Sequence, residues 1–232
     1  MKLNGTADEI MTIIAMQYPQ VIKALRTARE AVPNGKPQDT LWPYQAACLY
    51  ALAQRYDGGR ILELGTYYGF TAAVMALAAP RANIISLNPQ LLEVEKARQN
   101  LARFENVSVI CRYSWDYLEM LDPEWRFDMV FVDGDHKRIR EDFPWYNRLN
   151  IGGLFFFHDY SPNGSGRACP SAYRALLEFK AWMGRDFDVL IVDDQQVGMT
   201  GYYKRPDDPD WNEVSGQSKS EVQEMQTVQD LE

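Results

Sequence analysis

The 232-residue chain is predicted to fold as a doubly wound α/β domain: a mostly parallel, seven-stranded sheet with helices on both faces and a helical cap at the N-terminus. Three observations predict it. Short runs at 60–64, 83–88, 107–111, 127–133 and 153–158 are apolar throughout rather than alternating, as strands buried on both faces are. Between them lie amphipathic stretches of helical length at about 69–79, 89–104, 114–121 and 137–149. A further helix near 170–183 precedes two last apolar runs, 187–193 and 197–204, which Gln195-Gln196 separates as a hairpin turn at the sheet edge would.

The cap is assigned to residues 1–56. Ile10, Ile13, Ile14, Tyr18, Val21, Ile22 and Leu25 recur near helical spacing, so 7–32 is expected to be one helix, stopped by Pro33-Asn34-Gly35, and 40–56 a second. The sheet domain is assigned to 57–205. Residues 206–232 carry eight acids against Lys219 and few large apolar side chains, the composition of an acidic, mobile tail. The tail accounts for seven of the eight net negative charges, so the body is near neutral and offers no basic surface for nucleic acid. No apolar run reaches the ~18–20 residues that span a bilayer, and Met1 to Ile10 lacks the pattern of a secretory leader. Cys48, Cys111 and Cys169 are odd in number and far apart, which points to a reducing, cytoplasmic setting and to no disulfide framework. The sequence leaves homo-oligomer formation open.

In an open parallel sheet the ligand site lies beyond the carboxyl ends of the strands. Two motifs fall there. The first, Glu63-Leu64-Gly65-Thr66-Tyr67-Tyr68-Gly69, runs from a strand through a glycine-containing turn into a helix, where free N–H groups and close backbone approach favour a ligand. Tyr67 stands where a dinucleotide-binding Gly-x-Gly-x-x-Gly would need its second glycine, which disfavours a nicotinamide-dependent oxidoreductase. The second motif pairs Phe131-Val132-Asp133-Gly134-Asp135-His136 with Phe156-Phe157-His158-Asp159, and it holds both histidines of the chain. Asp133 and Asp159 end neighbouring strands, so their carboxylates are expected to converge. Such a pair repels unless a proton or a cation intervenes, and a hard divalent ion is the natural occupant. His158 is a candidate third ligand, whose nitrogen favours Mn²⁺, Fe²⁺ or Zn²⁺ over Mg²⁺. The alternative is structural: Asp133 or Asp135 capping the next helix and Asp159 opening a turn.

From about 43 to 204 the chain resembles the class I S-adenosylmethionine (SAM)-dependent methyltransferases, and within them the metal-dependent small-molecule O-methyltransferases, including catechol O-methyltransferase and bacterial antibiotic and sugar O-methyltransferases. The resemblance rests on the Leu62–Ala72 stretch, on Met129–Asp133 and on Gly152-Gly153 through Asp159, with Asn88-Pro89 after a strand as a further match. It implies a Rossmann-like methyltransferase fold and a small hydroxylated substrate. Glu63, Gly65, Thr66, Tyr67 and Gly69 would cradle the methionine part of SAM. Ser86 or Asn88 would hold the ribose, in place of the family's usual acid, and Ser114 and Trp115 would flank the adenine. Asp133, His158 and Asp159 would hold a divalent ion, Mg²⁺ or Mn²⁺, and His136 would take the proton from the acceptor hydroxyl. The neutral Ser86 and Asn88 motivate the alternative, a non-catalytic binding protein that keeps the fold. Residues 160–171, with Arg167, have the composition of a lid over the acceptor.

Overall fold

The computed structural model describes residues 1–33, 41–161, 169–193 and 198–211. Its frame is one eight-stranded sheet in the order β1-β7-β8-β6-β5-β2-β3-β4, in which β8 runs antiparallel to its two neighbours and every other pair is parallel. The strands are β1 (Lys2–Asn4), β2 (Arg60–Leu64), β3 (Asn83–Asn88), β4 (Val107–Cys111), β5 (Phe127–Val132), β6 (Leu149–Tyr160), β7 (Val189–Val192) and β8 (Gly198–Tyr203). The helices are α1 (Ala7–Gln17), α2 (Val21–Ala31), α3 (Pro43–Ala53), α4 (Phe70–Ala78), α5 (Leu91–Leu101), α6 (Ser114–Met120) and α7 (Pro170–Met183).

Alternate residues of the central strands enter two cores. Ile61, Ile84, Met129, Phe131, Leu154 and Phe156 pack on the side of α1–α4, and Leu62, Leu87, Val130, Val132, Phe155 and Phe157 pack on the side of α7. Burial of both faces is why these strands read as unbroken apolar runs. α3 and α4 are small-residue helices, buried along nearly their whole length, and this allows α3 to lie against α1, α2 and α4.

Four expectations are corrected. The sheet has eight strands, not seven: Lys2–Asn4 pairs with β7, with Lys2 beside Leu190 and Asn4 beside Val192. The expected helix at 7–32 is two helices, because Pro19 cannot donate to the ladder and the chain turns between Tyr18 and Val21. The expected helix at 137–149 is a 3₁₀ segment, Ile139–Arg148, with Pro144 inside it. The expected tail is packed as far as Trp211. Arg185 pairs with Asp188 at 2.5 Å and with Asp208 at 3.1 Å, and the Trp211 ring lies 4.9 Å from both Phe143 and Trp182. These contacts hold 206–211 against the β6–α7 side, while 212–232 lies outside the described residues, as do Gln195-Gln196 and 162–168 of the expected lid.

Strand order reverses between β2 and β5, so a crevice opens beyond their carboxyl ends. Register does the rest. Leu64 is beside Val132 and Val132 beside Phe157, which places Gly65, Asp133 and His158 side by side at the next position.

Candidate active site

A cavity of about 450 Å³ lies beyond the ends of β2, β3 and β5, and Gly65, Asn88, Glu93, Ser114, Trp115 and Asp133 are among its walls. Gly65 is required by geometry. Its φ is +111°, and a Cβ there would stand 2.1 Å from the Asp133 carbonyl oxygen. Tyr67 follows at φ +46°, a left-handed conformation that an aromatic side chain rarely adopts. It too lines the cavity. Gly69, at φ +92°, caps α4 and lies against Leu101.

Three of the expected cofactor residues sit beneath this floor. Glu63, Thr66 and Ser86 are essentially fully buried. Thr71 and Ser86 donate to the two carboxylate oxygens of Glu63, and the Thr66 and Ser86 hydroxyls are 2.5 Å apart. Burial is the dominant influence on Glu63 and pushes its carboxyl up from 4.5 to about 7. The folded chain therefore keeps a proton that the unfolded chain has lost, and stability must fall as pH rises from about 4.5 to about 7 and stay lower above that. For Glu63 the effect is about 3 kcal/mol at 1.36 kcal/mol per pH unit. Buried Asp142, likewise pushed up to about 7, adds to the same slope. Glu63→Gln is expected to shrink the drop in thermal midpoint between pH 5 and pH 8; an unchanged drop would contradict the buried-acid account.

The upper walls of the cavity contain polar groups that motif reading missed. Glu93, in the first turn of α5, accepts from the Asn88 side-chain amide at 2.7 Å and puts a carboxylate near the end of β3. Ser114 donates to Asp142, which faces the cavity from the 3₁₀ segment. Trp115 stacks on Tyr113 with centroids 4.6 Å apart, and the Arg138 guanidinium lies 3.8 Å over the Trp115 ring. Glu141 holds Arg138 there by two hydrogen bonds of 2.6 and 2.7 Å.

On the far side of Asp133 is an ionisable cluster. His158 Nδ1 lies 3.1 Å from Asp133 Oδ1 and 3.1 Å from Asp159 Oδ1, and His136 Nδ1 lies 2.7 Å from Asp159 Oδ2. Asp133, His158 and Asp159 each offer one ligand atom within 4.8 Å of the others. Asp159 has φ +62°, and nothing in its local sequence supplies the glycine that conformation favours. The hydrogen bond to Asp159 raises His136 to about 9. Burial works to lower His158, but the two aspartates outweigh it and hold it well above its ordinary value. Burial would raise Asp159, yet His158 and His136 pull it far below the carboxylate range. Asp135 makes the local turn bond, accepting from the Lys137 N–H at 3.0 Å.

All of the expected ion-site residues thus meet in one place, together with His136 and, from α3, Gln45. Gln45 Oε1 is 3.3 Å from His158 Nε2. The signal for Gln45 was available: it is the one amide in the otherwise apolar 43–53 segment.

Residues 62–160 match the family described as "Methyltransferase domain". The chain is a methyltransferase. Among curated proteins, this methyltransferase is 28% identical over 207 residues to the catechol O-methyltransferase of Niastella koreensis, covering 83% of this chain and 90% of that one. It is 27% identical over 157 residues to the protein-L-isoaspartate O-methyltransferase of Ignicoccus hospitalis, covering 66% and 72%. In fold it is similar to the O-methyltransferase TomG of Streptomyces achromogenes, whose structure holds SAM: the TM-score is 0.61 at 23% identity, over 78% of this chain and 90% of that one. Among the described residues, no helix of the methyltransferase is long and apolar enough to cross a membrane.

Proposed function

We propose that this methyltransferase moves the methyl group of SAM to a hydroxyl oxygen of a small molecule, with a divalent ion at the Asp133–His158–Asp159 cluster. The observation that carries the reading is a shared wall: Asp133 lines both the 450 Å³ cavity and the cluster, so a group bound in one reaches a group bound in the other. The relatives named catechol O-methyltransferase support the hydroxyl acceptor, and the neighbour solved with SAM supports the donor.

SAM brings an already activated methyl group as a sulfonium. The chain's part is therefore to hold donor and acceptor in line, which in well-oriented systems supplies most of the rate. Gly65 and Tyr67 line the end of the cavity next to Asp133, where the methionine part would lie, and Gly69 sets the helix that follows. Glu63, Thr66 and Ser86 act from below, bracing that loop rather than touching the ligand. Asn88 and Glu93 together supply the ribose acceptors, so the acid missing from the end of β3 is restored in space by α5. Ser114, Trp115 and Asp142 take the adenine.

The cluster fits a divalent ion. His158 Nδ1 is buried without a directed hydrogen bond, and the donor set of two carboxylates and one imidazole is that of a metal site. Such an ion supplies acidity to a bound hydroxyl. His136 is the residue placed to take the proton. At about 9 it is already protonated at neutral pH beside Asp159, so it accepts a proton only above that range or when another positive charge engages Asp159.

Calorimetry with S-adenosylhomocysteine (SAH) tests the donor half. Micromolar affinity is expected, weakened at least about tenfold in Glu93→Ala by loss of a charge-assisted hydrogen bond. No binding by the wild type sinks the reading. Binding with no methyl transfer to any of a panel of catechols, phenols and sugars leaves a binding protein instead.

A further inference from the structure

His158 has one nitrogen whose partner is fixed. Gln45 Oε1 accepts from the Trp42 backbone N–H at 3.1 Å, and a backbone N–H can only donate, so that atom is the oxygen of the amide. His158 Nε2 lies 3.3 Å from the same oxygen and must present its hydrogen to it. The neutral ring then carries its lone pair on Nδ1. That is the atom aimed between Asp133 and Asp159, 3.1 Å from an oxygen of each. It is buried and makes a directed hydrogen bond to neither. Without an ion, a proton on Nδ1 sits between the two carboxylates; with an ion in its place, the same equal spacing sets the Nδ1 lone pair around a common centre with an oxygen of each. Asp159, only 7% exposed and held at φ +62°, turns Oδ1 toward the same centre while its Oδ2 pairs with His136 Nδ1 at 2.7 Å.

We infer that Gln45 is a positioning residue that locks His158 as an Nδ1 ligand, and that the cluster consequently selects a nitrogen-accepting transition ion such as Co²⁺ or Mn²⁺ over Mg²⁺. The inference rests on the ion site proposed above and adds its selectivity and the residue that sets it. Mg²⁺ prefers oxygen donors in a strict octahedron and keeps its water, so replacing an oxygen ligand by imidazole costs it more than it costs a transition ion. Outer partners that hold a ligating histidine fix its tautomer, and their loss typically lowers affinity about 10–100-fold. Gln45 reaches this position from α3, a helix that contributes no wall to the SAM cavity, so its effect on the ion separates from any effect on the donor.

The test is calorimetric titration of the chelator-stripped full chain with Co²⁺, Mn²⁺ and Mg²⁺, with SAH affinity measured in parallel. Wild type is expected to bind Co²⁺ and Mn²⁺ at least about tenfold tighter than Mg²⁺. Mn²⁺-loaded protein should show ¹⁴N hyperfine coupling by pulsed electron paramagnetic resonance, lost in His158→Asp, which should also narrow the Mn²⁺/Mg²⁺ ratio. Gln45→Leu should weaken Co²⁺ about 10–100-fold with little change for Mg²⁺, and Gln45→Glu, which still accepts from Nε2, should restore it. If Gln45→Leu fails to fold, the Gln45→Glu and His158→Asp titrations and the nitrogen coupling still decide. Mg²⁺ bound as tightly as Mn²⁺, or Mn²⁺ bound with no nitrogen coupling, overturns this inference alone. SAH binding with no affinity for any of the three ions overturns it together with the ion half of the proposed function.

Discussion

Asp133→Ala is expected to lower kcat/KM for any acceptor the wild type methylates by about 10³-fold or more, the scale on which a single group stabilising developing charge acts. SAH affinity should stay within about threefold, because the cavity's ribose and adenine walls lie on β3, α5, α6 and the 3₁₀ segment rather than on Asp133. The reason for so large an effect is position. Asp133 ends β5 at the reversal of strand order, with Gly65 on one side and His158 on the other. Its carboxylate lines the cavity and is itself a member of the cluster. Steady-state kinetics with calorimetry on the same sample checks this. Activity within tenfold of wild type would separate the cluster from the chemistry, and full turnover in a chelated sample would remove the ion from it.

Gly65→Ala has the largest expected effect on the fold. The added Cβ would meet the Asp133 carbonyl at 2.1 Å while the backbone stays at φ +111°. Neither strain relaxes cheaply, since Gly65 and Thr66 both donate to the Leu87 carbonyl, at 3.0 and 3.1 Å, and Asp133 donates to the Leu64 carbonyl at 2.8 Å. A loss of at least about 3 kcal/mol in urea unfolding is expected, with SAH binding lost in whatever remains folded. A wild-type denaturation midpoint would mean that the turn has another low-energy path.

Much of the frame could be read from apolar runs. Three strands, at 60–64, 83–88 and 107–111, have the bounds their runs suggested; the first two are buried almost throughout, while in the edge strand 107–111 only Val109 is buried. β1 was missed because three residues, Lys-Leu-Asn, carry no periodicity; its pairing with β7 is decided by an edge 188 residues along the chain. Pro19 and Pro144 were visible, but the helical spacing on either side of each was given more weight than the break. In the site, the pairing of Asp133 with Asp159 followed from strand ends alone. The burial of Glu63 and Ser86 did not, since a strand's last residues face alternately into the sheet's cover and toward its rim. Glu93 and Asp142 come from helical segments beside the strands, and Gln45 lies 113 positions from the histidine it touches. Such contacts belong to packing, which one sequence leaves unwritten.

The left-handed backbone at Tyr67, though not at Asp159, sets heat resistance against chemistry. Glycine at 67 would relieve about 1–3 kcal/mol of backbone strain, set against its own entropic cost, while erasing the side chain that the pocket presents. At 159 it would also strip His158 and His136 of their buried partner, a loss of about 3–5 kcal/mol that outweighs the relief. A screen of random variants for survival on heating would therefore enrich glycine at 67 but not at 159, and return sturdier, inert proteins. The same library sorted for methyl transfer should keep both side chains.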